Sequence, residues 1–258
     1  PGVRTFVDEY VKNYPTYVMK QVMLKILNRK GEVEVVTGHS SSTMLSTCGI
    51  LYKMFKSHLL SCVNGPVATY ETEKVVQDIK NDEQKITVTF SDLGIDSTSN
   101  TIKADLVIAA YGVHSAIRRS LFPDLKPEYV GYVIWRSAMP EATLLRGARK
   151  VLENSTLLFG CLKDYILTFH VLSENGSLIS SERQFTWEWY QHIPNPTNLE
   201  TILTDINGIK HSTAVPRDKM HPSISPRNYR AAAPSSNPHF TEILENTTKP
   251  LLPAVHDP

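Results

Sequence analysis

Three groups of residues in this 258-residue chain have types and spacing that could do chemistry. The first is Gly112, Ser115 and Arg118, which follow directly on the apolar run Leu106-Val107-Ile108-Ala109-Ala110. A strand that breaks at a glycine and re-enters a helix capped by Ser115 aims backbone N–H groups and a positive dipole end at one point. That arrangement suits an anionic group. Arg118 adds a cation one turn on; its plainer reading is an exposed helix arginine. The second group is aromatic: Trp135, Trp187, Trp189 and Tyr190. Apolar walls with a few polar tips are what a small aromatic ligand needs, and the same side chains also make good core. The third is His211, His221 and His239, which sit in or beside Pro-rich or turn segments without metal-ligand spacing and read as surface residues. Neither a nucleophile triad nor a paired-carboxylate constellation stands out, and no metal site is expected.

The elements that must position these groups follow from periodicity. Val3, Phe6, Val7, Tyr10, Val11 and Tyr14 form a helical stripe ending before Pro15. Val22–Leu27 and Glu32–Val36 flank the turn tetrad Asn28-Arg29-Lys30-Gly31, which predicts a hairpin. Ile50, Leu51, Met54, Phe55 and Leu59 mark a second helix, with Ser or Thr at 42–47 as candidate caps. Strands are expected at Ala68–Thr72, Lys74–Ile79 and Lys85–Phe90, the last with half-buried alternation. A polar loop, Ser91–Asn100, then leads to Leu106–Ala110, whose unbroken apolar run reads as a central strand buried on both faces.

From Pro127 the chain turns β-rich. Tyr129–Trp135, Thr156–Phe159, Tyr165–Leu172 and Arg183–His192 are dense in aromatic and β-branched residues. In the last of these, Phe185, Trp187 and Trp189 share one face and Thr186, Glu188 and Tyr190 the other. One face is then buried and the other open to a ligand. Asn198–Asp205 and a segment opening at Asn237-Pro238 read as short helices, with an irregular stretch, Thr213–Ser236, between them.

Composition narrows the function classes. A formal charge of +1 gives no sign of a nucleic-acid binder, and no apolar run approaches membrane-spanning length. Cys48, Cys62 and Cys161 are odd in number and far apart, which reads as reduced thiols in a cytoplasmic setting.

Three segments together carry a family resemblance. Asp105-Leu-Val-Ile-Ala-Ala-Tyr-Gly-Val-His-Ser-Ala-Ile-Arg118 resembles the second flavin fingerprint of the flavin-dependent aromatic hydroxylases of the para-hydroxybenzoate hydroxylase type. Pro127-Glu-Tyr-Val-Gly-Tyr-Val-Ile-Trp-Arg136 and Arg183-Gln-Phe-Thr-Trp-Glu-Trp-Tyr190 resemble strands of that family's dihydroxypyridine monooxygenase branch and its fungal relatives. The resemblance implies an α/β (α+β mixed) fold: an incomplete Rossmann-like FAD-binding domain with an inserted β-rich substrate domain. It assigns residues 1–15 and 38–126 to the FAD-binding part, 16–37 and 127–235 to the substrate domain, and 236–258 to a return helix. It implies FAD held through Gly112, Ser115 and Arg118, NAD(P)H as co-substrate, and a small aromatic substrate against Trp135, Trp187, Trp189 and Tyr190. The implied partners exclude nucleic acid and membrane and allow a homodimer.

The departures matter as much. Tyr111 stands where the fingerprint has Asp, so the turn lacks a carboxylate. No G-x-G-x-x-G occurs, and the late Gly-Asp fingerprint is also absent, so the chain reads as the middle of such an enzyme. Two further readings stand beside the monooxygenase: a binding module that keeps an aromatic pocket, and a remnant without flavin chemistry.

Overall fold

A computed structural model describes residues 12–13, 17–19, 22–39, 43–61, 67–94, 99–112, 115–153, 155–161, 163–224 and 237–257. In chain order the elements are β1 (Tyr17–Met19), β2 (Val22–Leu27), β3 (Val33–His39), β4 (Thr43–Leu45), α1 (Cys48–Leu60), β5 (Lys74–Asp82), β6 (Lys85–Asp92), β7 (Ser99–Ala104) and α2 (Ala116–Leu121). There follow β8 (Glu128–Pro140), α3 (Arg146–Leu152), β9 (Thr156–Cys161), β10 (Asp164–Val171), β11 (Gln184–His192), α4 (Pro196–Ile202), β12 (Ala214–Val215), α5 (Pro238–Asn246) and β13 (Leu252–Asp257). The fold is mixed α/β, and its contacts divide it into two compact units: residues 1–57 with 130–255, and residues 58–129 with 256–258.

The larger unit is built on an eight-stranded sheet ordered β12-β13-β8-β11-β10-β9-β2-β3. Alternation along β11 decides its faces. Phe185, Trp187 and Trp189 have no solvent exposure, nor does Trp135, which lies directly opposite Trp189 across the β8–β11 pair. On α3, Ala148 and Leu152 are buried, and on α5, Phe240, Ile243 and Leu244; the Phe240 ring stacks on Phe159 of β9 at 6.0 Å. An indole N–H buried without a partner would be costly. Here Trp135 donates to Gln191 Oε1 (2.8 Å), Trp187 to Thr247 Oγ1 (3.1 Å) and Trp189 to Asp164 Oδ2 (3.3 Å).

The hairpin β2–β3 turns on Asn28, whose side-chain oxygen accepts the N–H groups of Lys30 and Glu32. Gly31 has φ +82°, and a Cβ there would lie 2.9 Å from the His239 ring. This turn also seats the start of α5. Asn237 caps that helix by accepting the His239 N–H, and its own amide donates to the Asn28 carbonyl at 2.8 Å, 209 residues away in sequence.

The smaller unit carries the three-stranded antiparallel sheet β5-β6-β7 and the helix α2. Its main surprise concerns the apolar run. Leu106–Ala110 is not a strand, and Leu106 and Ile108 are 72% and 80% exposed. The strand lies one segment earlier: Ser99–Ala104, polar and read from sequence as loop or unassigned, takes the free edge of β6 in register from Ser91↔Ser99 to Ile86↔Ala104. An apolar run forms a buried strand only where neighbouring strands cover it, and among the described residues none pairs with 106–110. Ala68–Thr72 likewise has no regular structure.

The hairpin, α1 and the strands from β8 to β11 follow the periodicity. Of the helix expected over residues 3–14, only Lys12 and Asn13 lie within the described residues. Residues 38–57, assigned from sequence to the FAD-binding part, fall in the unit of the large sheet, as do α5 and most of β13.

Candidate functional site

The glycine turn survives in the smaller unit without its strand. Gly112 has φ +62°, the left-handed conformation that favours glycine, and a Cβ placed there would meet nothing within 4 Å. Ser115 is buried, and its hydroxyl accepts the Arg118 N–H at 3.1 Å, capping α2. Gly112, Ser115 and Arg118 border one cavity of about 400 Å³, whose other walls are largely apolar and include Ala109, Leu121 and Phe122. The three sequence-predicted cofactor residues are therefore brought together. Tyr111 beside them is half exposed.

The predicted substrate residues are split. Trp135, Trp187 and Trp189 are core and hydrogen-bonded on the closed face of the sheet, with Trp135 stacked on Trp189, so none of them offers a surface to a ligand. The pleat makes this unavoidable, because neighbouring positions of a strand point to opposite faces. Tyr190 is on the other face. There its ring stacks on Tyr165 of β10, its register partner, with centroids 4.5 Å apart and planes 11° from parallel.

Around this pair the sheet presents Tyr132, Ile134 and Arg136 from β8 and Glu188 from β11, with Arg136 directly opposite Glu188. Tyr190 donates its hydroxyl to Glu188 Oε2 at 3.3 Å. Tyr132 donates to the Lys163 carbonyl, also at 3.3 Å, and its ring lies 5.1 Å from that of His192. Burial, then the charge of Glu188, pushes the Tyr190 phenol up to about 12; Tyr165 is raised by burial and by its neighbours Tyr132 and Glu188. The open face is thus an aromatic shelf on which Tyr165 and Tyr190 stay protonated, with Arg136 and Glu188 at facing register positions beside them. Tyr132, Tyr165, Arg136 and Glu188 were not picked out from sequence as site residues. The signal that finds them is the period-two alternation that also sends the tryptophans inward.

On the closed face a buried ionic cluster links Glu141, in the short 3-10 turn Glu141–Thr143 just after β8, to Arg183 and His170. Arg183 donates through Nε (2.5 Å) and Nη2 (3.1 Å) to the two oxygens of Glu141, and His170 Nε2 lies 3.4 Å from Oε1. Burial pushes Glu141 up, but Arg183 and His170 outweigh it and hold the carboxyl below its ordinary value. His170 is brought down to about 4 by burial and the Arg183 charge. Of the histidines read as surface residues, only His221 is exposed. His211 pairs with buried Asp205 at 3.2 Å, and His239 packs on Gly31.

Residues 129–257 match the family described as FAD binding domain-like. The chain is 25% identical over 212 residues to the 2,6-dihydroxypyridine 3-monooxygenase of Paenarthrobacter nicotinovorans, a match covering 82% of this chain and 48% of that protein. The chain therefore spans about half the length of the curated relative it matches. In three dimensions it resembles the 2,6-dihydroxypyridine-3-hydroxylase of Arthrobacter nicotinovorans, with TM-score 0.78 and 17% identity over 98% of this chain and 61% of that one. It also resembles CtdE in complex with FAD and a substrate, with TM-score 0.61 and 13% identity over 97% of this chain and 55% of that one. Among the described residues, no helix is long and apolar enough to cross a membrane.

Proposed function

The chain belongs to the FAD binding domain-like family, and on that premise we propose that it serves an FAD-dependent monooxygenase which adds one oxygen atom to an aromatic or pyridine ring, with NAD(P)H as co-substrate. One observation carries the reading. The family match, residues 129–257, coincides with the strands β8, β10 and β11 whose open face stacks Tyr165 on Tyr190.

FAD, when bound, supplies the redox and oxygen chemistry, and the chain supplies binding, orientation and shielding from water. Gly112 fits a flavin contact: its left-handed backbone leaves the space before it open, and Arg118 borders the same cavity with a cation. Ser115 holds the turn by capping α2. On the sheet, the Tyr165–Tyr190 stack gives a planar ligand a surface to lie against, at offset-stacking distance. Tyr190 stays protonated at neutral pH, so its O–H, which donates to Glu188, can turn to a ring oxygen and free Glu188 to accept from a ring hydroxyl or ring N–H. Arg136 opposes any negative charge that the ring carries.

A second reading, an aromatic-binding module without flavin chemistry, is favoured by Tyr111 in place of the carboxylate and by the exposed Leu106–Ala110 segment. One experiment separates the two. The protein is incubated with FAD, desalted, examined for a flavin spectrum and titrated with 2,6-dihydroxypyridine. A flavin spectrum that survives desalting and shifts on adding the ring supports the monooxygenase. Saturable ring binding by colourless protein overturns it in favour of the module, and absence of both overturns both readings.

A further inference from the structure

A second site stands on α3, apart from the aromatic shelf. Arg146, Arg149 and Lys150 are all exposed, whereas Ala148 and Leu152 of the same helix are buried. Spacings of three and four residues put the three cations on one outer face. Facing them is Arg183, held in place by its fork on Glu141, with the Ser180 hydroxyl donating to the same carboxylate at 3.3 Å. With Glu153 these residues enclose an open cleft of about 450 Å³, within the range of small-molecule sites.

The charge of this cleft is not what helix stability asks for. Among the described residues, Arg146, Arg149 and Lys150 have no ion-pair partner, and like charges at such spacings repel. The helix dipole accounts for Arg149 and Lys150 in the last turn. It does not account for Arg146, whose first-turn position is where a cation is disfavoured. Of the two carboxylates, Glu141 is already engaged by Arg183, and Glu153 lies close enough to Lys25 to act on its charge. Once the Arg183–Glu141 pair cancels, the cleft is left with three cations, Arg146, Arg149 and Lys150, against the one acid Glu153.

We propose that this cleft binds a phosphate-bearing small molecule of pyrophosphate or nucleotide size. Guanidinium groups bind phosphate oxygens in pairs, and a lysine beside them adds a mobile point charge. A group carrying more than one negative charge relieves the mutual repulsion along α3, which a single carboxylate would leave largely in place. Arg183, fixed on Glu141, forms the rigid back wall. The proposal does not depend on flavin or on ring binding.

The test is calorimetry on the 258-residue protein with inorganic pyrophosphate and with ADP as probes. Both should bind saturably at millimolar concentration or below, and more weakly as salt is added. The double variant Arg149→Gln/Lys150→Gln, altered only at exposed positions, should melt like the parent yet bind at least tenfold more weakly. Lys80→Gln, in the smaller unit, should bind as the parent does. No saturable binding of either probe, or equal binding by the double variant, overturns the proposal. Binding of heparin or an RNA oligonucleotide without pyrophosphate binding also overturns it, in favour of a macromolecular polyanion.

Discussion

Acidification should unlock the larger unit through His170. This imidazole is buried against Arg183 and is brought down to about 4, whereas in the unfolded chain it returns to its ordinary value of 6.5. Between those two values the unfolded chain holds a proton that the folded chain refuses, so stability is full above the unfolded pKa and falls as pH drops towards the folded one. At 1.36 kcal/mol per pH unit, the loss between about pH 7 and pH 5 comes to about 2 kcal/mol. Glu141, held below its ordinary value by the same arginine, adds to the loss in the same direction once the pH falls below the usual carboxylate range. Urea melts followed by tryptophan fluorescence report on this unit, because Trp135, Trp187 and Trp189 all belong to it. The comparison is with His170→Phe, which cannot titrate. The parent should lose about 2 kcal/mol more than the variant over this interval. Equal pH slopes for the two proteins would refute the assignment of a buried neutral imidazole.

Three other outcomes follow from the same structure. Trp187→Phe replaces the indole with a smaller ring, leaves Thr247 without its indole donor in a closed core, and should cost about 1–3 kcal/mol in a urea melt. Ser115→Ala removes the cap of α2 and should lower stability by about 1 kcal/mol, read by chemical denaturation followed by circular dichroism. Tyr165→Ala removes one half of the aromatic stack from a surface position; the melt should move little, while ring binding measured by calorimetry should weaken several-fold.

Legibility followed the strength of the local signal. The β2–β3 hairpin was readable because Asn28 and Gly31 are the residues such a turn demands, and β11 because its alternation is strict over nine residues. The helix of Ala116–Leu121 was readable from Ser115 and Pro123. Leu106–Ala110 misled because its apolar run specifies burial without specifying what does the burying, and the polar strand Ser99–Ala104 took the available edge. α3 and β13 left little trace, since seven and six residues hold too few periods to stand out. At the site, Gly112, Ser115 and Arg118 could be placed because their spacing is a backbone motif. The tryptophans could not, because residue type alone does not say which face of a sheet is closed; the buried faces of the helices α3 and α5 bear on that.

The hydrogen bond from Asn237 to Asn28 has a bearing on how the molecule is made. It joins positions 209 residues apart, and in the same sheet β2 pairs in parallel with β9, well over a hundred residues downstream. The first cannot form until nearly all of these residues are available and the second until well past the middle of the sequence, and the entropy of closing such loops must be met before they give anything back. A ribosome releasing this chain from its N-terminus therefore presents the β2–β3 hairpin long before β9 or α5 emerges to cover it. Its early strands must wait with an uncovered edge, which makes refolding slow and sensitive to concentration and to chaperones.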